Sequence, residues 1–447
     1  MSNFEQLIQS DYRHMIHPHL PASQKTRVIF KRGKGCNLWD VEGHQYLDAT
    51  GGLWLAQIGH GREEIAEAAA RQIRELEYAT CFWEYSHERA IELAEKLATL
   101  APAGLDNVLF TSGGSEGDDA AIKAARFYHA QKGQPTRTWI LSRKTAYHGA
   151  AYGGGTATGF PEARVGTGPD LPHVAYLTPP HAYRNYLFEG QSCTDFCVAE
   201  LEKTIEDIGA ENIAAMIGEP IMGVGGMVPA PMDYWPRISA VLKKHGILLI
   251  SDEVVTAFGR SGNWFAAERY GVTPDIMVTA KGISSGYIPL GAVLMTREIA
   301  EVTTKDHGFP MGYTYCGHPV ACAVALENIR ILEEEKLVER SNVIGAYLAK
   351  QLSARLHDNP RIGEIRQAGM AIGIELVTDK ASRQPLPLAA LQIADYVRRE
   401  KSVIARICNY SSLCLSPPLI MTESEADQVA EAVGSVLARV RSDGTVE

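Results

Sequence analysis

At 447 residues, with 45% hydrophobic and 21% charged side chains, the chain is long enough for two domains around substantial cores and is not of disordered composition. Its 43 basic and 53 acidic residues leave a formal charge of −10 without a basic block, which excludes an electrostatic footprint for nucleic acid or an anionic membrane and favours a small-molecule partner. No apolar run approaches the roughly 18 residues of a membrane span. The opening MSNFEQLIQSDYRH lacks the regions of a signal peptide, so a cytoplasmic location is expected.

The first residues carry no pattern that assigns their elements. His14, His17 and His19 cluster there, but without a carboxylate or cysteine pattern they read as a solvated or interface segment, not a metal site. The cysteines, Cys36, Cys81, Cys193, Cys197, Cys316, Cys322, Cys408 and Cys414, form no CxxC pair and no dense framework, as expected of reduced thiols.

From about residue 105 to 300, short β-rich runs alternate with helical patterns. That is the signature of a mainly parallel sheet covered by helices on both faces. Strands are expected at 107–111, 138–142, 214–218, 247–251, 276–279 and 292–295. Ile247 to Ile250 is apolar without alternation, which suits a central strand buried on both sides. Helices are expected at 118–131 and 234–245, the second stopping at Gly246. Beyond about residue 320, helices expected at 320–337, 343–356, 388–399 and 424–441 flank short strands near 373–377 and 412–415, which suggests a separate α+β domain. Thr422 and Glu425 have the spacing of a capping box.

In open parallel sheets a ligand sits beyond the carboxyl ends of the strands, so the residues that follow each strand matter most. After Phe110 comes TSGGSEGDDAAIKAAR, whose glycines and hydroxyls lead into a helix that could hold a phosphate, or could be an ordinary capped turn. It matches neither GxGxxG nor a Walker loop. Other strands deliver Tyr147-His148-Gly149, Glu219-Pro220, Asp252-Glu253 and Lys281, the one charge between Asp275 and Arg297. Asp252 and Lys281, 29 residues apart, have room for one crossover between them and should face one cavity. They could form a structural ion pair. Alternatively the lysine joins a pyridine aldehyde as an imine while the carboxylate keeps the ring nitrogen protonated.

These residues resemble the class III, or ω-, aminotransferases, fold-type I enzymes that use pyridoxal phosphate. The resemblance covers nearly the whole chain and rests on LLISDEVVTAFGRSG, PDIMVTAKGISSGYIPLGAV and GYTYCGHPVACAVAL. It implies a large cofactor-binding domain over 60–325, a small domain over 326–447, and an N-terminal segment, 1–59, that joins the small domain. It further implies that Lys281 carries the cofactor, Asp252 pairs with the pyridine nitrogen, and Val254 and Tyr147 cover the two ring faces. Gly114 and Ser115 would bind the phosphate together with Thr314 from a second subunit, and Glu219 would lie on the ring's hydroxyl side. GGLWLAQIGHG is similar to the family's substrate segment, which makes Trp54 a pocket wall with Phe82 and Trp83 near it. Arg406 matches a position where relatives carry an arginine for substrate carboxylate.

The activity implied is transfer of an amino group from an amine or ω-amino acid to pyruvate, or another keto acid or aldehyde acceptor, by a ping-pong route. A homodimer with shared active sites, alone or paired into a tetramer, goes with it. Two features depart from the pattern: the usual SEAND is Ser115-Glu116-Gly117-Asp118-Asp119, and the glycine expected after DEVxT is Ala257. A racemase, decarboxylase or aminomutase could use the same lysine and aspartate. A non-catalytic phosphate-ligand-binding protein stays open as a different class.

Overall fold

A computed structural model describes residues 3–24 and 26–447. Its centre is a seven-stranded sheet in the spatial order Asn107–Thr111, Gly291–Met295, Ile276–Thr279, Leu248–Asp252, Ile213–Gly218, Trp139–Arg143, Val174–Leu177. Only Gly291–Met295 runs antiparallel to its neighbours. Leu248–Asp252 and Ile213–Gly218 are buried along their whole length, as the apolar runs Ile247 to Ile250 and Ile213 to Ile217 lead one to expect.

Successive side chains in these strands serve opposite faces. Ile140, Ile217 and Ile250 pack with the helix Gly114–Gln131, whereas Leu141, Met216 and Leu249 pack with Cys193–Ile208 and Tyr234–Lys244. The sheet is therefore sandwiched between helices, with the predicted fold class, and all six predicted strands are present to within a residue at either end.

Several boundaries differ for local reasons. The helix expected at 118–131 begins at Gly114, because its first turn is glycine and serine and offers no apolar period to read. The helix expected at 343–356 begins at Leu337, directly after Lys336, whose left-handed φ of 50° breaks it from Pro319–Glu334. Residues 388–392 form a 3-10 turn before the helix Ile393–Lys401. The capping box is formed: Thr422 N donates to Glu425 at 2.8 Å, and Glu425 N donates to Thr422 Oγ1 at 3.2 Å.

A second, antiparallel sheet has the order Ile362–Ala368, Ala371–Leu376, Ser412–Leu415, Arg406–Cys408. The N-terminal hairpin strands Phe30–Lys34, Asn37–Asp40 and Gln45–Asp48 form a third, which gains a parallel partner from far along the chain, Val403–Ile404. Among the N-terminal histidines, His17 does have a carboxylate beside it: its Nε2 lies 2.8 Å from Asp11, which also takes a hydrogen bond from Arg27. All eight cysteines are free thiols. No helix of the described residues is long and apolar enough to cross a membrane.

A buried charge cluster joins the second sheet to the segment that follows Gly218. Glu375, fully buried, accepts from Arg184 Nη2 at 2.6 Å and Ser412 Oγ at 2.8 Å and pairs with Arg366 Nη1 at 2.9 Å. Arg366 Nε in turn donates to Gly226 O at 2.9 Å. Burial alone pushes the Glu375 carboxyl up, but Arg366, His181 and Arg184 together hold it well below the usual range. Removing one member leaves two guanidiniums short of their counter-charge. Glu375→Gln is expected to lower stability by about 3–5 kcal/mol at neutral pH, measured by denaturant unfolding. Because the folded pKa is depressed, the charge stabilises above the ordinary carboxyl pKa of about 4.3 and loses its effect as pH falls below it. The gap between the two proteins should therefore narrow in acid.

Candidate active site

The carboxyl ends of the central strands converge on a cavity of about 330 Å³. One wall is the start of the helix Gly114–Gln131, whose first N–H groups receive no side-chain cap. Free backbone donors and the positive end of the helix dipole face the cavity there, an arrangement suited to a phosphate. Gly114 is required by contact: a Cβ at that position would stand 2.7 Å from Val254 Cγ1. Gly149, at φ 102°, brings its loop against Ser115, where a Cβ would stand 2.7 Å from Oγ.

Asp252, only 3% exposed, lines the same cavity. Each of its oxygens has a donor: Val254 N reaches Oδ1 at 3.0 Å, and His148 Nδ1 reaches Oδ2 at 2.7 Å. His148 is itself fully buried, and its Nε2 has no hydrogen-bond partner. Glu219 braces the neighbouring loop, accepting from Tyr147 N at 3.1 Å and Gly223 N at 2.7 Å, and burial raises its pKa.

Lys281 opens on the same cavity from the end of Ile276–Thr279. Its backbone φ is 46°, a left-handed conformation that non-glycine residues adopt only where the surroundings impose it. Burial pushes the ammonium pKa down, against the opposing charges of Asp252, Asp118 and Glu219. Lys281 and Asp252 face each other without forming a contact ion pair; the partner of Asp252 is His148. That removes the plain salt bridge as the explanation for the pair. What remains is an amine made easier to deprotonate, opposite a carboxylate with both oxygens fixed.

Of the predicted site residues, the structure brings together Lys281, Asp252, Gly114, Ser115, Tyr147, Glu219 and Val254 around one cavity. Trp54 lies just outside it, 2% exposed and in the left-handed region at φ 67°, packed with Met227, Ala371, Cys408 and Cys414. The Arg406 guanidinium stands 5.2 Å from the Trp54 ring centroid and acts electrostatically on both Tyr147 and Lys281. Three residues are not brought to this chain's own cavity. Trp83 is 84% exposed, Phe82 packs over Gly312, and Thr314 is exposed, its carbonyl taking a hydrogen bond from Tyr78 at 2.9 Å. Together they form one surface patch.

Sequence reasoning missed two members of the site. His148 was visible only as a polar residue after a strand. Asp118 was visible only as a departure from the usual loop, yet it lines the cavity beside Asp252.

The family profile of the class-III aminotransferases matches residues 20–437. The putrescine–pyruvate aminotransferase of Pseudomonas aeruginosa is 38% identical over 91% of this chain and 90% of its own length. Among solved structures, a thermostable (S)-enantioselective omega-transaminase from Thermomicrobium roseum superposes with a TM-score of 0.93 at 45% identity, covering 97% of this chain and 98% of that one. An amine transaminase from an uncultivated Pseudomonas species, solved in its PLP-bound form, gives 0.89 at 40% identity, covering 94% and 97%.

Proposed function

The chain belongs to the class-III aminotransferases, and from that premise we infer that it moves an amino group from an amine or ω-amino acid to pyruvate, with pyridoxal phosphate as cofactor. One observation carries this reading. A lysine of depressed pKa shares a cavity with a doubly held aspartate, and an uncapped helix start faces the same space.

The residues present fit the cofactor. Free N–H groups at Gly114 and Ser115 suit its phosphate, Val254 and Tyr147 suit the ring faces, and Glu219 suits the hydroxyl edge. Bound there, pyridoxal phosphate supplies an aldehyde that joins amines and a protonated ring that withdraws electrons from the carbon bearing nitrogen.

The chain's own part is to hold and move protons. Asp252, fixed by His148 and Val254 N, would hold a proton on the ring nitrogen. Lys281 Nζ, eased toward its neutral form by burial, is the group that would take the proton from the substrate carbon and, as its conjugate acid, give it back. Tyr147 and Val254 close the ring faces against water. A single cavity serves both substrates in turn, so the carbonyl product leaves before pyruvate enters.

Arg406, over the Trp54 ring, is the carboxylate-binding group in this scheme. Arg406→Leu should raise KM for pyruvate at least about 10-fold, the ~1.5–3 kcal/mol of a charged hydrogen bond, and leave KM for an uncharged arylalkylamine nearly unchanged. Phe82, Trp83 and Thr314, outside their own cavity, are assigned to the rim of a second copy's site in a homodimer. The deciding assay is alanine formation from pyruvate over a panel of amines, β-alanine and taurine. A racemase, decarboxylase or aminomutase would leave pyruvate unconsumed with every donor.

A further inference from the structure

Asp118 is a buried carboxyl that the scheme above does not use. It sits one turn into the helix Gly114–Gln131, lines the cavity, and is 2% exposed, with Oδ1 lacking any hydrogen-bond partner. One of its oxygens lies within 4.8 Å of a His148 ring nitrogen and of an Asp252 carboxylate oxygen. The residue the family pattern leads one to expect here is asparagine.

Two buried carboxyl groups this near each other oppose each other's ionisation, so one of them is pushed toward its neutral form. The hydrogen bonds decide which keeps the charge. Asp252 has an N–H donor on each oxygen, an environment that favours the anion. Asp118 has an oxygen with none, so ionisation there would bury an unsolvated charge.

We propose that Asp118 is a positioning residue that stands as a neutral carboxylic acid beside Asp252, so that the pair carries one negative charge and Asp118 supplies the donor an asparagine amide would supply. This inference rests on the reading of Asp252 as the cofactor's ring partner. Burial and the charge of Asp252 both push the Asp118 carboxyl well up, with Glu219 and Asp119 adding to the shift and Lys281 opposing it. Asp252, Glu219, Lys281 and Tyr147 face Asp118 across the cavity, His148 is bonded to Asp252, and Asp119 follows Asp118 on the helix, turned toward Gly154 N.

The sign of the pH effect follows. A carboxyl whose folded pKa is raised takes up a proton on folding, so the wild-type protein loses stability as pH rises from about 4 toward that raised value. Asp118→Asn removes this proton. In cofactor-free protein, the melting temperature of Asp118→Asn minus that of wild type should therefore grow as pH increases. Wild type should also show an infrared band of a buried protonated carboxyl at pH 7 that disappears in Asp118→Asn. After dialysis of the holoenzyme, Asp118→Asn should retain the cofactor while Asp118→Leu, which lacks a donor, releases it at least about tenfold faster, the scale of one lost hydrogen bond.

A pH-independent melting difference without the band would overturn the assignment. So would equal cofactor retention in Asp118→Leu and Asp118→Asn. The first two readouts use apoprotein, so they hold even if the wild type binds no pyridoxal phosphate. That last result would sink the proposed function and leave the protonated pair standing.

Discussion

Lys281→Ala is expected to lower kcat by about ten-thousand-fold, the upper range for removing one general acid–base group, with a further loss because, on the proposed reading, the same nitrogen would anchor the cofactor covalently. No other side chain on the cavity wall can substitute. The wall residues Ser112, Ser115 and Ser284 are hydroxyls, Tyr147 is a phenol whose pKa burial pushes up, and the rest of its ionisable groups are carboxyls. Borohydride reduction of the wild-type holoenzyme, followed by peptide mass spectrometry, should place the adduct on Lys281. The same treatment of Lys281→Ala should place it nowhere. An adduct on a different residue, or turnover within tenfold of wild type, would remove the assignment.

The legibility of this site in the sequence depended on how far each signal was from its partner. Lys281 could be seen because a neutral stretch isolates it, and Asp252 because it ends the apolar run of Ile247 to Ile250. Both signals are local. The role of His148 is not, since it is made by a hydrogen bond to a residue 104 positions away and needs the sheet order to bring the two loops together.

Asp118 reads in sequence as one more acid on a helix, and only the packing of that helix against the strand ends turns it toward Asp252. The start of that helix escaped periodicity because glycine and serine carry no hydrophobic phase. The hairpin strands between Phe30 and Asp48 escaped for a different reason: they are four or five residues long, and Phe30–Lys34 is largely exposed. Trp54, Phe82 and Trp83 look alike as aromatics in sequence. The fold separates them, one buried under Arg406 and two on a surface away from the cavity.

Asp252→Asn is the second large effect, and it differs in kind from the first. The substitution is nearly isosteric, and one amide oxygen can still accept from Val254 N, as Oδ1 does at 3.0 Å. The amide NH2 then faces His148 Nδ1, which the carboxylate engages at 2.7 Å, and the imidazole must move its proton to Nε2 to accept there. That nitrogen is buried without a partner, so the shift places a donor where no acceptor waits. On the proposed reading the cofactor site survives this, because the helix start at Gly114 and Ser115 assigned to the phosphate and the lysine are untouched. On the same reading, what is lost is the negative charge that would face the ring nitrogen, and with it the proton that would make the ring an electron sink. A single preorganised electrostatic group of this sort is worth about 10²–10³ in kcat. Asp252→Asn should accordingly keep cofactor bound in near-stoichiometric amount, measured by its absorbance after dialysis, while the single-turnover rate with an amine donor falls by at least that factor. A rate within threefold of wild type would mean that the ring nitrogen takes its proton from elsewhere, and Asp252 would be left as a purely structural partner of His148.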